Sequence, residues 1–191
     1  RNTVQIVKAA LSLLEKENDK SDFTTVETAR SGNEKPIVGY FENKKEQSLY
    51  LLKSLNQLKT NNNISSTVVL HRSRSGLNAI QSFLGENGYD TQILLDSGEI
   101  DFERESIKIC TLSSVKGLEF DNVFIIDLND DILPYPPGFN GEDDELHIST
   151  ERRLLYTSMT RARERLYLLS SGEPSRYLTE IDEDLLVKAN N

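Results

Sequence analysis

The sequence predicts an α/β protein in which helices cover both faces of a parallel sheet. Three observations carry this expectation. Short β-branched runs alternate with segments of helical spacing along the chain, the pattern of a parallel sheet. Residues 123–126 are continuously apolar, as a central strand covered on both faces requires. With 37% hydrophobic residues in 191, there is material for one buried core, so a single domain over residues 1–191 is expected.

In chain order, residues 3–16 place Val4, Val7, Ala10, Leu11 and Leu14 at helical spacing. Residues 37–41 and 67–71 read as short strands, and residues 42–58 between them read as a helix packing Leu49, Leu52, Leu55 and Leu58 on the sheet. A helix over 77–84 stops near Gly85 and Gly88, and strands follow at 91–95 and 107–112. The segment 134–148 holds Pro134, Pro136, Pro137, Gly138 and Gly141 and the acidic run 142–145, which predicts an exposed loop. Ser149 or Thr150 is expected to cap a helix to about Arg163, with Leu155, Met159, Ala162 and Leu166 along one flank. A last strand at 166–169 and a helical tail over 172–191 complete the pattern.

A formal net charge of -9 disfavours non-specific phosphate binding over the whole surface, so any nucleic-acid contact must be local. Cys110 is the single cysteine, which excludes a disulfide framework and a cysteine-based metal site and is consistent with a cytoplasmic protein. No apolar run approaches the roughly 20 residues of a membrane span. His71 and His147 lack metal-ligand spacing, and the acidic run lacks the alternating ligands of a calcium loop, so no metal site is expected.

Against this acidic background, residues 151–165 hold Arg152, Arg153, Arg161, Arg163 and Arg165. By composition alone they read as a solvated helix laced with salt bridges to the acidic loop. Their order points elsewhere. The string ERRLLYTSMTRAR at 151–163 resembles motif VI of the UvrD/Rep-type superfamily 1 DNA helicases, and SSVKGLEFDNVFIID at 113–127 resembles their motif V. Arg1, Asn2 and Thr3 followed by Ile6 and Ala9 resemble motif IV, and VVLHRSRSG at 68–76 resembles the following strand and loop.

The resemblance implies the second, C-terminal RecA-like domain of such a helicase, a three-layer fold without its own P-loop. It implies ATP with Mg²⁺ bound between this domain and the N-terminal RecA-like domain of the same polypeptide. Arg161 stands in the place of the arginine finger, a planar cation where charge spreads over the transferred phosphoryl group. Arg1 would be a second cation on the phosphates, Gly117 would let backbone approach the nucleotide, and Glu119 would accept a bond from the ribose. Arg72, Arg74, Thr111 and Ser113 fall where relatives contact single-stranded DNA, although two exposed loop arginines and a β-branched strand residue read equally well as ordinary structure. Ser113 replaces a histidine common in relatives, Thr157 replaces a valine, and the short stretch between Arg72 and Thr111 leaves no room for the large inserted domain of the best-known relatives.

No G-x-x-x-x-G-K-[ST] sequence and no strand ending in paired carboxylates is present, so the isolated chain is expected not to hydrolyse ATP. The expected role is the C-terminal motor domain of an ATP-dependent DNA helicase. The missing insertion and the absent histidine also fit a HelD-like remodeller that works on RNA polymerase, and a RecA-like scaffold without catalysis is the third reading.

Overall fold

The computed structural model describes residues 2–15, 17, 34–95, 100–137 and 143–190. Helix α1 (Val4–Leu14) leads into strand β1 (Ile37–Tyr40), helix α2 (Lys44–Thr60) and strand β2 (Thr67–His71). A 3₁₀ turn (Arg74–Gly76) opens α3 (Leu77–Glu86), followed by β3 (Thr91–Ile93), β4 (Ile107–Thr111) and β5 (Phe120–Ile125). Helix α4 (Asp143–Met159), β6 (Ala162–Ser170), α5 (Arg176–Glu180), a 3₁₀ turn (Glu183–Leu185) and β7 (Val187–Lys188) finish the chain.

The strands form one sheet in the order β3-β4-β2-β5-β6-β1-β7, with every pairing parallel. Strand β5 is central, as its uninterrupted apolar run requires. Its side chains alternate between two cores. Val123 and Ile125 join Val68, Leu70, Leu166 and Leu168 under α1, α4 and α5, while Phe124 joins Val69, Tyr167 and Leu169 under α2 and α3. Phe124 and Tyr167 stack with ring centroids 4.1 Å apart. Among the described residues no helix is long and apolar enough to cross a membrane.

Several element expectations need correction. On α2 the buried face is Gln47, Leu51, Ser54, Leu55 and Leu58, and Leu49 is 55% exposed. Steps of three residues lag a 3.6-residue helix by about 60° each, so the 49-52-55-58 series drifts off the face that the mixed spacing of 51-55-58 keeps. On α1 Val7, Ala10 and Leu14 are buried as expected, together with Ile6, Ala9 and Leu13, whereas Leu11 is exposed. Helix α4 begins at Asp143, inside the segment expected to be loop, so Ser149 and Thr150 lie within the helix instead of capping it. It ends at Met159, and Ala162 and Leu166 belong to β6. Their apolar side chains are buried in both accounts, which is why helical spacing alone did not reveal the change of element. The tail adds the edge strand β7 to its short helices. Residues 138–142 of the acidic loop, and Arg1, lie outside the described residues.

The parallel topology gives the sheet two distinct edges. Strands β2 and β4 end, and β5 runs out, at one of them, through His71, Thr111 and Asp127. Strands β5 and β6 start together at the other, with Phe120 opposite Ala162. Because α4 connects the end of β5 to the start of β6, it runs back across the sheet from the first edge to the second.

Candidate functional site

At the edge where β5 and β6 begin, the motif V and motif VI residues meet. The Phe120 N–H donates to the Arg161 carbonyl at 2.9 Å, so Glu119 and Arg161 immediately precede paired strand positions. Glu119 is exposed. Gly117 has φ +84° with open space where a Cβ would stand, so the backbone turn, more than crowding, calls for glycine. Asn2 reaches the same place, its side-chain amide donating to the carbonyls of Thr160 and Ala162. Thr3 caps α1 by accepting from the Ile6 N–H at 3.4 Å. The start of α1 is thus stitched to the turn that carries Arg161.

The five arginines part company here. Arg152 is buried between Glu180, at 2.7 and 2.9 Å, and Glu17, at 2.6 Å, with its guanidinium over the Tyr177 ring. Arg153 lies 3.9 Å from Glu17, Arg163 pairs with Asp121 at 3.0 Å, and Arg165 pairs with Glu34 at 3.3 Å. These four match the salt-bridge reading, with the partners named here spread across the fold. Arg161 differs. Among the described residues its guanidinium bonds the Thr157 carbonyl at 3.1 Å and the Thr160 hydroxyl at 3.2 Å, at the C-terminus of α4 where the helix dipole favours a cation.

The opposite edge gathers the other predicted residues. Thr111 is buried, and its hydroxyl accepts from the Ser114 N–H at 3.1 Å and donates to the Ser114 Oγ at 2.9 Å, which turns the chain out of β4. Ser113 and Arg74 are exposed. Arg72 is held by Glu151 through two 2.7 Å bonds.

Sequence reasoning missed the polar network beneath this edge. Asp127 sits just beyond β5 with φ +52°. Its Oδ1 accepts from Gln47 Nε2 at 2.8 Å and Ser171 Oγ at 2.7 Å, and its Oδ2 pairs with His71 Nε2 at 2.9 Å. The Gln47 Oε1 accepts the Asp127 N–H at 2.9 Å, and Asn129 fixes Ser171 from behind. Burial raises the Asp127 pKa, but the bonds from His71, Ser171 and Gln47 outweigh it and hold the carboxyl down at about 2. His71 Nδ1 lies 3.0 Å from the Ser73 N and 3.1 Å from the Ser73 carbonyl oxygen, so the ring is fixed with Nε2 facing the carboxylate. A cleft of about 420 Å³ opens above this network between α2 and α3, with Lys44, Phe83 and Tyr135 on its rim. The available signal was that VVLH and VFIID both end an apolar run on a titratable residue.

With this geometry in place, a profile of the UvrD-like helicase C-terminal domain matches residues 91–173. Those residues, less than half of the chain, are similar to that family. Over 108 residues the chain is 36% identical to the ATP-dependent DNA helicase PcrA of Staphylococcus epidermidis and to that of Staphylococcus aureus. The match covers 51% of this chain and 14% of each PcrA, so the chain corresponds to a small part of such a helicase. The fold also superposes on the crystal structure of the C-terminal domain of a possible DNA helicase from Lactobacillus plantarum, with a TM-score of 0.73 and 21% identity over 100% of this chain and 98% of that one. The part matched to the UvrD-like helicase C-terminal domain contains Thr111, Ser113, Gly117, Glu119, Asp127, Glu151 and Arg161, whereas Gln47, His71, Arg72 and Arg74 precede it.

Proposed function

We propose that this helicase C-terminal domain supplies one half of an ATP site and one stretch of a single-stranded DNA track. The observation that carries the reading is that Glu119 and Arg161 each stand just before the first paired positions of β5 and β6, with Arg161 alone among the five arginines lacking a carboxylate partner among the described residues. A guanidinium resting on carbonyl and hydroxyl oxygens gives up little on turning to an anion, whereas Arg152 would abandon two buried carboxylates. The exposed Glu119 and the open backbone at Gly117 fit a nucleotide laid across this edge. Glu119 would hold the ribose and Arg161 the phosphates, with Arg1 beside Asn2 as a further cation.

ATP with Mg²⁺ supplies the hydrolysable phosphoryl group. The phosphate cradle and metal ligands belong to an N-terminal RecA-like domain of the same polypeptide, so this chain by itself does not turn over ATP. Single-stranded DNA would cross the other edge near Arg72, Arg74, Thr111 and Ser113, with opening and closing of the interdomain cleft moving the strand.

Turnover of ATP by the complete protein, with and without single-stranded DNA at stated salt, tests the reading. Strong stimulation supports a translocating helicase. The engagement of Arg72 by Glu151 and the serine at 113 favour a second reading, an ATP-driven remodeller of a protein complex such as RNA polymerase. ATPase indifferent to DNA would select it, and no turnover in either condition would select a scaffold.

A further inference from the structure

We propose that Glu151 is a built-in competitor for the Arg72 guanidinium, so that a nucleic-acid phosphate gains Arg72 only by exchange with it. The proposal rests on the single-strand reading of this edge. Both Glu151 oxygens accept from Arg72, at 2.7 Å each, from Nε and from the terminal nitrogen. This fork is the same one that guanidinium offers to two phosphate oxygens, so the carboxylate fills the place a phosphate would take.

The surroundings make the pair exchangeable on one side only. The Arg72 side chain is 21% exposed, whereas that of Glu151 is 6% exposed. The peptide of Tyr135 braces both partners, its N–H donating to Glu151 at 3.2 Å and its carbonyl accepting from Arg72 at 3.4 Å. The residue before Arg72 is anchored, with the His71 ring bonded to Asp127 at 2.9 Å and packed so closely on Gly76 that a Cβ there would lie 2.5 Å from it. On exchange the Arg72 side chain would swing away, and Glu151 would stay behind with the Tyr135 N–H as its donor among the described residues. A buried carboxylate stripped of its cation opposes that step. Glu151 thus lowers strand affinity, and Arg72 acts after the first contacts at the exposed Arg74 and Ser113.

The position of Glu151 adds a consequence. It lies on α4, eight residues before Met159, about 12 Å along the helix that ends beside Arg161. One helix thereby joins the strand edge to the turn that holds Arg161.

The test measures binding of a fluorescein-labelled oligo(dT) to the complete protein that carries this domain, over a range of salt concentrations. It compares wild type, Glu151→Gln, Arg72→Ala and the double variant. Glutamine keeps the shape of Glu151 and an acceptor for the Tyr135 N–H while removing the charge. Glu151→Gln is expected to bind about tenfold more tightly, with a logarithmic salt slope steeper by about 0.7, the signature of one added single-strand phosphate contact. Arg72→Ala should weaken wild-type binding modestly and weaken Glu151→Gln by about tenfold more, erasing its gain. Arg72→Lys in the Glu151→Gln background should retain part of the gain, which separates loss of contact from loss of fold. Unchanged affinity and slope in Glu151→Gln would overturn the competition while leaving the strand reading intact, as would equal weakening by Arg72→Ala in both backgrounds. Absence of binding by wild type and Glu151→Gln alike would remove the strand reading and the proposal with it.

Discussion

Nε2 of His71 lies 2.9 Å from Oδ2 of Asp127, and that contact joins the ends of β2 and β5. Gln47 adds α2 and Ser171 adds the end of β6, so one carboxylate collects four elements at a single point. Buried polar networks are stable only when every member is satisfied. Here each Asp127 oxygen has its donors, and Lys44 lies 3.8 Å away at the exposed rim. The loop that carries Arg72 and Arg74 toward solvent starts from this knot.

The depressed Asp127 carboxyl sets a pH window. Its folded value of about 2 lies below the ordinary 3.8, so its bonds add stability above pH 3.8 and lose it as pH falls toward 2. The contribution is on the order of 2 kcal/mol. Thermal melts of wild type and Asp127→Asn across pH 2 to 6 should show a large gap at the upper end that narrows through this window. A gap independent of pH would contradict the assignment.

Gly76 is set by contact, since an added Cβ would stand 2.5 Å from three atoms of the His71 ring. Gly76→Ala should destabilise by about 1–3 kcal/mol by pushing the ring off Asp127. In a His71→Ala background the same change should cost much less, and denaturant titration of the four proteins measures that coupling.

Arg152 and Arg161 should behave oppositely. Arg152→Ala strands Glu17, whose side chain is 4% exposed, and is expected to cost about 3–5 kcal/mol in chemical denaturation.

Arg161→Ala removes only contacts at a helix end and should cost about 1 kcal/mol or less. In the complete protein the same variant should lower ATP turnover by about 10³-fold or more. Wild-type turnover in Arg161→Ala would remove it from the phosphate site.

Local pattern in the chain was enough to determine the class of fold. The β-branched runs, the apolar stretch at 123–126 and the spacing of α3 needed only nearest neighbours to be read, and the strings at 113–127 and 151–163 carried the resemblance to the helicase family. The boundary at Met159 was not legible, because buried apolar residues continue at 162 and 166 whether the backbone coils or extends. Tertiary structure alone decided which charges are engaged. Parallel crossovers bring Gln47, His71, Asp127 and Ser171 to one sheet edge, and Arg72 to Glu151, across separations of up to 80 residues within a bonded pair. No local period encodes such pairings, so the commitment of Arg152, the engagement of Arg72 and the lack of a carboxylate at Arg161 among the described residues emerge only once the sheet has closed.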